Sequence, residues 1–319
     1  TTFFNVSSVS LEENGQRLPV NYVLPPGIQR EQIVGQIGTQ YQNEQSLAIQ
    51  VCNLQNGDAR AVYKNINLDL RKYQKLKMFV HAELTNPEFY DLDYGDLTGF
   101  IRLGSDFTNN YYEYEIPLTP TEYGAAQPGG VNDPNEVWPF ANQIEFSLRD
   151  LVSVKEARNQ SSTPVTQPFT YILPNGAKIT VIGNPDLGIV ETAMLGVRNP
   201  KNSPVDADDG NPKCAEIWFD ELRLEGFDER GGNAAIARAD IQLADLGNVA
   251  LSTSMHSIGF GQLEQKLNER FIDDYFGYDA ATTLAMGKFF PNKIGLQLPL
   301  YLGISKQIST PEYDPYDHD

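Results

Sequence analysis

The chain has 319 residues, 40% of them hydrophobic, and carries 42 acidic against 24 basic side chains for a net charge of -18. So acidic a chain, without a Lys/Arg-rich run, is a poor match for nucleic acid or an anionic lipid surface. No run approaches the ~18 consecutive apolar residues of a membrane-crossing helix, which leaves open membrane-crossing strands, short and only half apolar.

The opening TTFFNVSSVS has no Met and neither the basic nor the apolar region of a signal peptide, and reads as the interior of a longer protein. Residues 1–228 then show short strand patterns between turn-rich connections: SLAIQVCNL, AVYKNINLDL, KLKMFVHAEL, LTGFIRLG, NYYEYEIPL, TYIL, KITVIG, GIVETAMLGV and CAEIWFDELRLEGF. Between TYIL and KITVIG, Pro174-Asn175-Gly176 supplies the positive φ tolerance of a tight hairpin. One helix is predicted, FSLRDLVSVKEARNQ, with Phe146, Leu148, Leu151, Val152 and Val154 on one side. The Pro/Gly/Asn/Asp-rich stretches 119–136 and 199–213 read as surface loops. Many strands at short spacing indicate a β-sandwich of jelly-roll or galactose-binding-like type.

After GFDERGGN the pattern changes, placing a domain boundary between 228 and 229. RADIQLAD puts Ala237, Ala239, Ile241 and Leu243 on one face and Arg238, Asp240 and Gln242 on the other; DLGN then turns into VALSTSM. Leu263, Leu267, Phe271 and Tyr275 recur at helical spacing and predict a short helical insert over 261–275. TTLAMGKFF, a turn at Pro291-Asn292-Lys293 and IGLQLPLYLGISKQIS complete a second hairpin, and the acidic TPEYDPYDHD reads as a loop. In IGLQLPLYLGISKQIS every even position from Ile294 to Ile304 is a large aliphatic, while the odd positions are Gly, Gln, Pro, Tyr, Gly and Ser. Eleven residues match a tilted membrane-crossing strand, and the weakly charged opposite face suits a wet lumen. Pro299 argues for a sheet edge instead, because proline donates nothing to a ladder.

Chemical motifs are sparse. Acidic pairs such as Asp91/Asp93/Asp96, Glu113/Glu115, Asp206/Asp208/Asp209, Asp220/Glu221 and Asp273/Asp274 are what 42 acids produce on solvated faces. DADDGNP offers oxygen ligands beside a Gly but lacks the spacing and closing Glu of an EF-hand. Asp220 and Glu221, adjacent on a strand, point apart and cannot flank one glycosidic bond. The three histidines are scattered and no CxxC pair exists, so no metal, cofactor or catalytic set is assigned. Cys52 and Cys214 are either two small buried hydrophobes or a disulfide, and spacing alone leaves that open. Tyr112 and Tyr114, with Trp138, form a candidate sugar-stacking platform, weighed against core packing.

EIWFDELRLEGFDERGGNAAIARADIQLADLGNVALSTSMHSIGFGQLEQKLNERF, DYFGYDAATTLAMGKFFPNKIGL, VNYVLPPGIQRE, LDLRKYQKLKMFVHAEL and YDPYD resemble the SprA/Sov family. The resemblance runs along most of the chain and identifies it as an interior segment of a far longer outer-membrane protein of the type nine secretion system of Bacteroidetes, also required for gliding in some members. It implies a large β-barrel translocon that exports folded proteins bearing a C-terminal signal domain. The partners it implies are a PorV-type barrel protein, a plug protein, secreted cargo and outer-membrane lipid. Residues 229–319 would then contribute hairpins to the barrel wall. The competing readings are a carbohydrate-binding jelly-roll module of a cell-surface protein, and a structural surface protein whose second part is an ordinary sandwich.

Overall fold

A computed structural model of the chain describes residues 1–32, 41–122, 129–201, 209–266 and 269–313. They fall into two compact units, Thr1–Phe227 and Asp228–Asp319. The fold is all-β, in three antiparallel sheets.

The first unit contains β1 (Phe3–Ser10), β2 (Gln45–Leu54), β3 (Ala59–Leu68), β4 (Lys75–Leu84), β5 (Thr98–Gly104), β6 (Tyr111–Pro117), β7 (Ile144–Ser147), β8 (Phe169–Ile172), β9 (Lys178–Ile182), β10 (Val190–Arg198) and β11 (Lys213–Glu225). They pair in the orders β1-β2-β11-β4-β7 and β3-β10-β5-β6-β9-β8. With β1 and the β8–β9 hairpin set aside, eight strands remain. Numbered along the chain they lie as 1-8-3-6 and 2-7-4-5, the strand order of a jelly roll. One core lies between the sheets, filled from one side by Ile49, Val51, Met78, Val80, Ile217 and Phe219 and from the other by Ile101, Tyr112, Tyr114, Ile179 and Val197. Period-two alternation puts these residues inward, and their burial from water drives the two sheets together.

The helix predicted from residue 146 begins two residues later. Ile144–Ser147 is strand β7, paired with β4, and α3 spans Leu148–Gln160 with Leu148, Leu151 and Val154 buried. Phe146 is apolar for a different reason, since it enters the sandwich core and stacks on Tyr114 with ring centroids 4.4 Å apart. At Pro174-Asn175-Gly176 only Gly176 takes a positive φ, 82°, and the Asn175 side chain accepts from the Ala177 amide. β1 and β7 carried no recognisable strand pattern, being respectively mostly exposed and only four residues long.

The outer face of the five-stranded sheet is covered by a second cluster. Val20, Tyr22, Val131, Val137 and Trp138 pack on Ala48 and Trp218. Two short helices, α1 (Leu11–Asn14), capped by Ser10, and α2 (Pro134–Val137), capped by Asp133, turn these segments onto the sheet. Beneath the rings Tyr22 Oη donates to Asp220 Oδ2 at 2.8 Å. Arg17 bonds Glu83 at 2.5 Å and Glu216 at 3.1 Å, and His81 Nδ1 donates to the Val137 carbonyl at 2.7 Å. Burial raises the Asp220 carboxyl above its usual range, and burial together with Asp220 raises the Tyr22 hydroxyl.

A carboxyl whose folded pKa lies above its unfolded value stabilises the fold fully below the unfolded pKa. That contribution is lost as pH rises through the folded value. Asp220→Asn keeps an acceptor for Tyr22 without a buried charge. Its thermal midpoint, read from near-UV dichroism of Trp138 and Trp218, should therefore gain on the wild type between about pH 4 and neutrality. A gap that does not change with pH would refute this account.

The second unit is a meander of β12 (Ala234–Leu243), β13 (Gly247–His256), β14 (Asp273–Ala285) and β15 (Pro299–Pro311), hydrogen-bonded in that order. The amphipathic helix expected over 261–275 is not seen among the described residues: they are turns and irregular chain with Glu269 in 3-10 conformation, and Asp273 to Tyr275 already belong to β14. Leu267 lies outside the described residues. Leu263 is fully exposed, and Phe271 and Tyr275 share a spacing because their rings flank His256, at 4.1 and 5.2 Å.

Candidate functional site

The second unit's sheet is continuously paired across four strands, so the register sorts its side chains onto two faces. One face carries, row by row, Leu243/Gly247/Leu284/Leu300, Ile241/Val249/Thr282/Leu302, Ala239/Leu251/Ala280/Ile304, Ala237/Thr253/Tyr278/Lys306 and Ala235/Met255/Phe276/Ile308. The other carries Arg238, Asp240, Gln242, Asn248, Ser252, Ser254, His256, Asp279, Thr283, Ser305, Gln307 and Ser309, together with Ile236, Ala250, Tyr275, Ala281 and Tyr301. Among the described residues of the unit no layer covers the apolar face, and Leu302 and Ile304 are 54% and 59% exposed.

Its two threonine hydroxyls are internally satisfied. Thr253 Oγ1 donates to the Gly277 carbonyl at 2.9 Å and Thr282 Oγ1 to the Asn248 carbonyl at 3.0 Å. This is how a threonine sits on an apolar surface without presenting an unbonded donor. Lys306 lies opposite Tyr278 in the fourth of the five rows, with Phe276 and Ile308 beyond it, and its long stem lets the charged tip reach away from the apolar surface.

The polar face is dense with bonds of its own. Arg238 Nε donates to Asp240 at 2.9 Å, His256 Nε2 meets Asp273 Oδ1 at 3.0 Å, and Ser309 Oγ donates to Asp273 Oδ2 at 2.7 Å. Gly277 lies below the Tyr275 hydroxyl, where an added Cβ would come within 2.6 Å, so the missing side chain lets that ring lie over the strand.

Two expectations about β15 change. Asn292–Ile294 is a 3-10 turn and the strand begins at Pro299, so Ile294, Leu296 and Leu298 do not extend its aliphatic row. The strand instead runs on to Pro311 and recruits Ile308. Lys306 is even-numbered like Ile304 and falls on the apolar face. Pro299 is tolerated because it is the first residue of the strand. Phe276, Tyr278 and Ala280 went unrecognised, although they continue the period of Thr282 and Leu284 backwards.

The first unit disperses the other candidates. Tyr112 and Tyr114 fill the sandwich core and Trp138 the second cluster, so the three form no exposed platform. Glu113 and Glu115 alternate with the tyrosines onto the opposite face. Arg102 bonds Glu113 at 2.6 Å, Arg198 bonds Glu113 at 2.9 Å and also Glu115, and Lys178 approaches Glu115 at 3.6 Å. Asp91, Asp96 and Asp209 surround buried Lys213 at 3.5, 2.7 and 2.7 Å. Burial works against the charge on Lys213, but the bonds from Asp209 and Asp96 outweigh it and push the pKa up to about 12. Asp206 and Asp208 of the calcium-like loop, and His318, lie outside the described residues. Among the described residues no group of three metal-ligating side chains converges. Asp220 is buried, and Glu221 occupies a bulge with φ 53°. Cys52 and Cys214, on neighbouring β2 and β11, are joined in a disulfide.

Curated proteins give no match to the chain. A family described as motility related/secretion protein, SprA_N, matches residues 1–319. That description names a secretion role and no enzymatic activity, and it points to the cell envelope. With the match spanning every residue, the chain belongs to the SprA/Sov family of motility-related and secretion proteins.

Proposed function

We propose that this chain is a segment of an outer-membrane translocon of type nine secretion and gliding, exporting folded proteins that carry C-terminal signal domains. The observation that carries the reading is the two-faced sheet, with an uncovered aliphatic face whose threonine hydroxyls are bonded inward and a polar face of Ser, Gln, Asn and paired charges. Strands of 10 to 13 residues have the length that a tilted crossing of the hydrocarbon layer requires. Lipid tolerates no open sheet edge, so β12 and β15 would pair with further strands of a longer chain to close a barrel.

The mechanism is conduction without chemistry. A lumen lined by hydroxyls, amides and a net negative charge keeps its own water, with Ile236 and Tyr301 as exposed apolar side chains among them. The jelly roll would be a soluble part that narrows the pore or serves as a docking surface. A PorV-type barrel, a plug protein and the cargo are the partners this reading implies, and the driving energy comes from outside the chain.

Single cysteines at Leu302 and Ser305 test it, since the native pair is already bonded. With an environment-sensitive dye on each in the parent protein reconstituted into vesicles, position 302 should be quenched by a lipid-borne nitroxide and position 305 by aqueous iodide. Equal aqueous quenching at both would overturn the reading.

A further inference from the structure

A cleft of about 610 Å³ opens beside β7 in the first unit, within the size range of small-molecule sites. Buried Ile116 and Phe146 line it, and Phe146 is stacked on Tyr114. At its rim stand two aromatic rings, Phe140, 83% exposed, and Tyr94, 39% exposed. Gln143, Asn175 and Asp150 also line the cleft. Glu145 also lines the cleft and is bonded by Lys75 at 3.1 Å, so these two charges offset each other.

The backbone at Phe140 is held in place. This residue follows Pro139 and opens a 3-10 turn, Phe140–Asn142, whose Asn142 side chain accepts from the Thr119 amide at 2.6 Å and donates to the Thr119 carbonyl at 2.8 Å. A large apolar ring so exposed on a braced turn is not explained by packing. A backbone already ordered lowers part of the cost of binding a partner.

We infer that this cleft binds a short neutral oligosaccharide. A pyranose ring presents an apolar face suited to an exposed aromatic ring, and an edge of hydroxyls that each donate and accept. Amides supply both roles and the carboxylate accepts. The lining keeps one unbalanced negative charge, Asp150, which disfavours uronic acids and other anionic sugars. An extended peptide fits less well. β7 offers only four residues, ended by the turn on one side and α3 on the other, and the Glu145 carbonyl already accepts from Tyr114 Oη at 3.3 Å.

The test is titration of the full chain, in a zwitterionic detergent without a sugar headgroup, with cellotriose, mannotriose, triacetylchitotriose and trigalacturonic acid. Calorimetry and saturation-transfer resonance serve as readouts. At least one neutral trisaccharide should bind with its ring protons saturated, and trigalacturonic acid should not. Phe140→Ala, at an exposed position, should weaken binding about tenfold with an unchanged near-UV spectrum. Failure of all three neutral sugars to bind, undiminished affinity in Phe140→Ala, or preference for the galacturonate would overturn the inference. None of these outcomes depends on the conduit reading.

Discussion

Arginine at Leu302 together with Ile304 is expected to abolish stable insertion of the parent protein, while arginine at Ser305 or Gln307 leaves it in the membrane fraction. Each charge on a lipid-facing strand costs about 2–4 kcal/mol near the bilayer centre and little towards a watery lumen. A packed protein core would also reject arginine at Leu302, so a second substitution is needed to separate the cases. Leu302→Trp adds apolar volume. Fluid hydrocarbon accommodates it, whereas a close-packed second layer would be strained by about 1–3 kcal/mol. The measurement is the protease-protected, folded fraction in isolated membranes. Loss of folding in both the arginine and the tryptophan variants would identify polypeptide, not lipid, over that face.

Removing the Cys52–Cys214 bond should cost the first unit roughly 2–5 kcal/mol, near the upper end because the cross-link closes so long a loop. The two residues are separated by 162 positions along the chain, yet they sit on adjacent strands. The denaturant midpoint of the Cys52→Ala/Cys214→Ala variant, read at Trp138 and Trp218, should fall well below that of the oxidised wild type. Reductant should move the wild type to the same place. A midpoint insensitive to both treatments would show that the bond does not constrain the unfolded chain.

Most strands were legible because alternation survives wherever one face is buried: KLKMFVHAEL, KITVIG and CAEIWFDELRLEGF became β4, β9 and β11 nearly as read. What alternation cannot supply is its sign. Nothing in YYEYE says whether tyrosines or glutamates face the core; the answer depends on Arg102, Arg198 and Lys178 arriving from neighbouring strands to neutralise Glu113 and Glu115. Period alone also misled at Phe271 and Tyr275, where four-residue spacing reflects two rings around one imidazole. The jelly-roll order and the cysteine pairing are non-local and were unreadable for that reason. The cleft at Phe140 was invisible because its walls come from segments distant in sequence, and a lone phenylalanine after a proline gives no local signal. The faces of β12 were readable outright, since Ala237, Ala239, Ile241 and Leu243 alternate with charged and amide side chains in one unbroken strand.

The arrangement of β1, β2 and β11 has a mechanical side. Phe3 lies opposite Cys52 and Lys213 opposite Leu54, so the chain enters at one end of this three-strand ribbon and leaves past Phe219, opposite Leu47, towards the other. A pull on the two ends therefore shears the ribbon along its length. Eight paired positions of β1 and β2 resist together instead of unzipping in turn. Should they yield, the cystine still carries the load from β2 to β11 and withholds everything between the two cysteines from extension. Under traction the first unit then lengthens only by the segments outside the cystine loop.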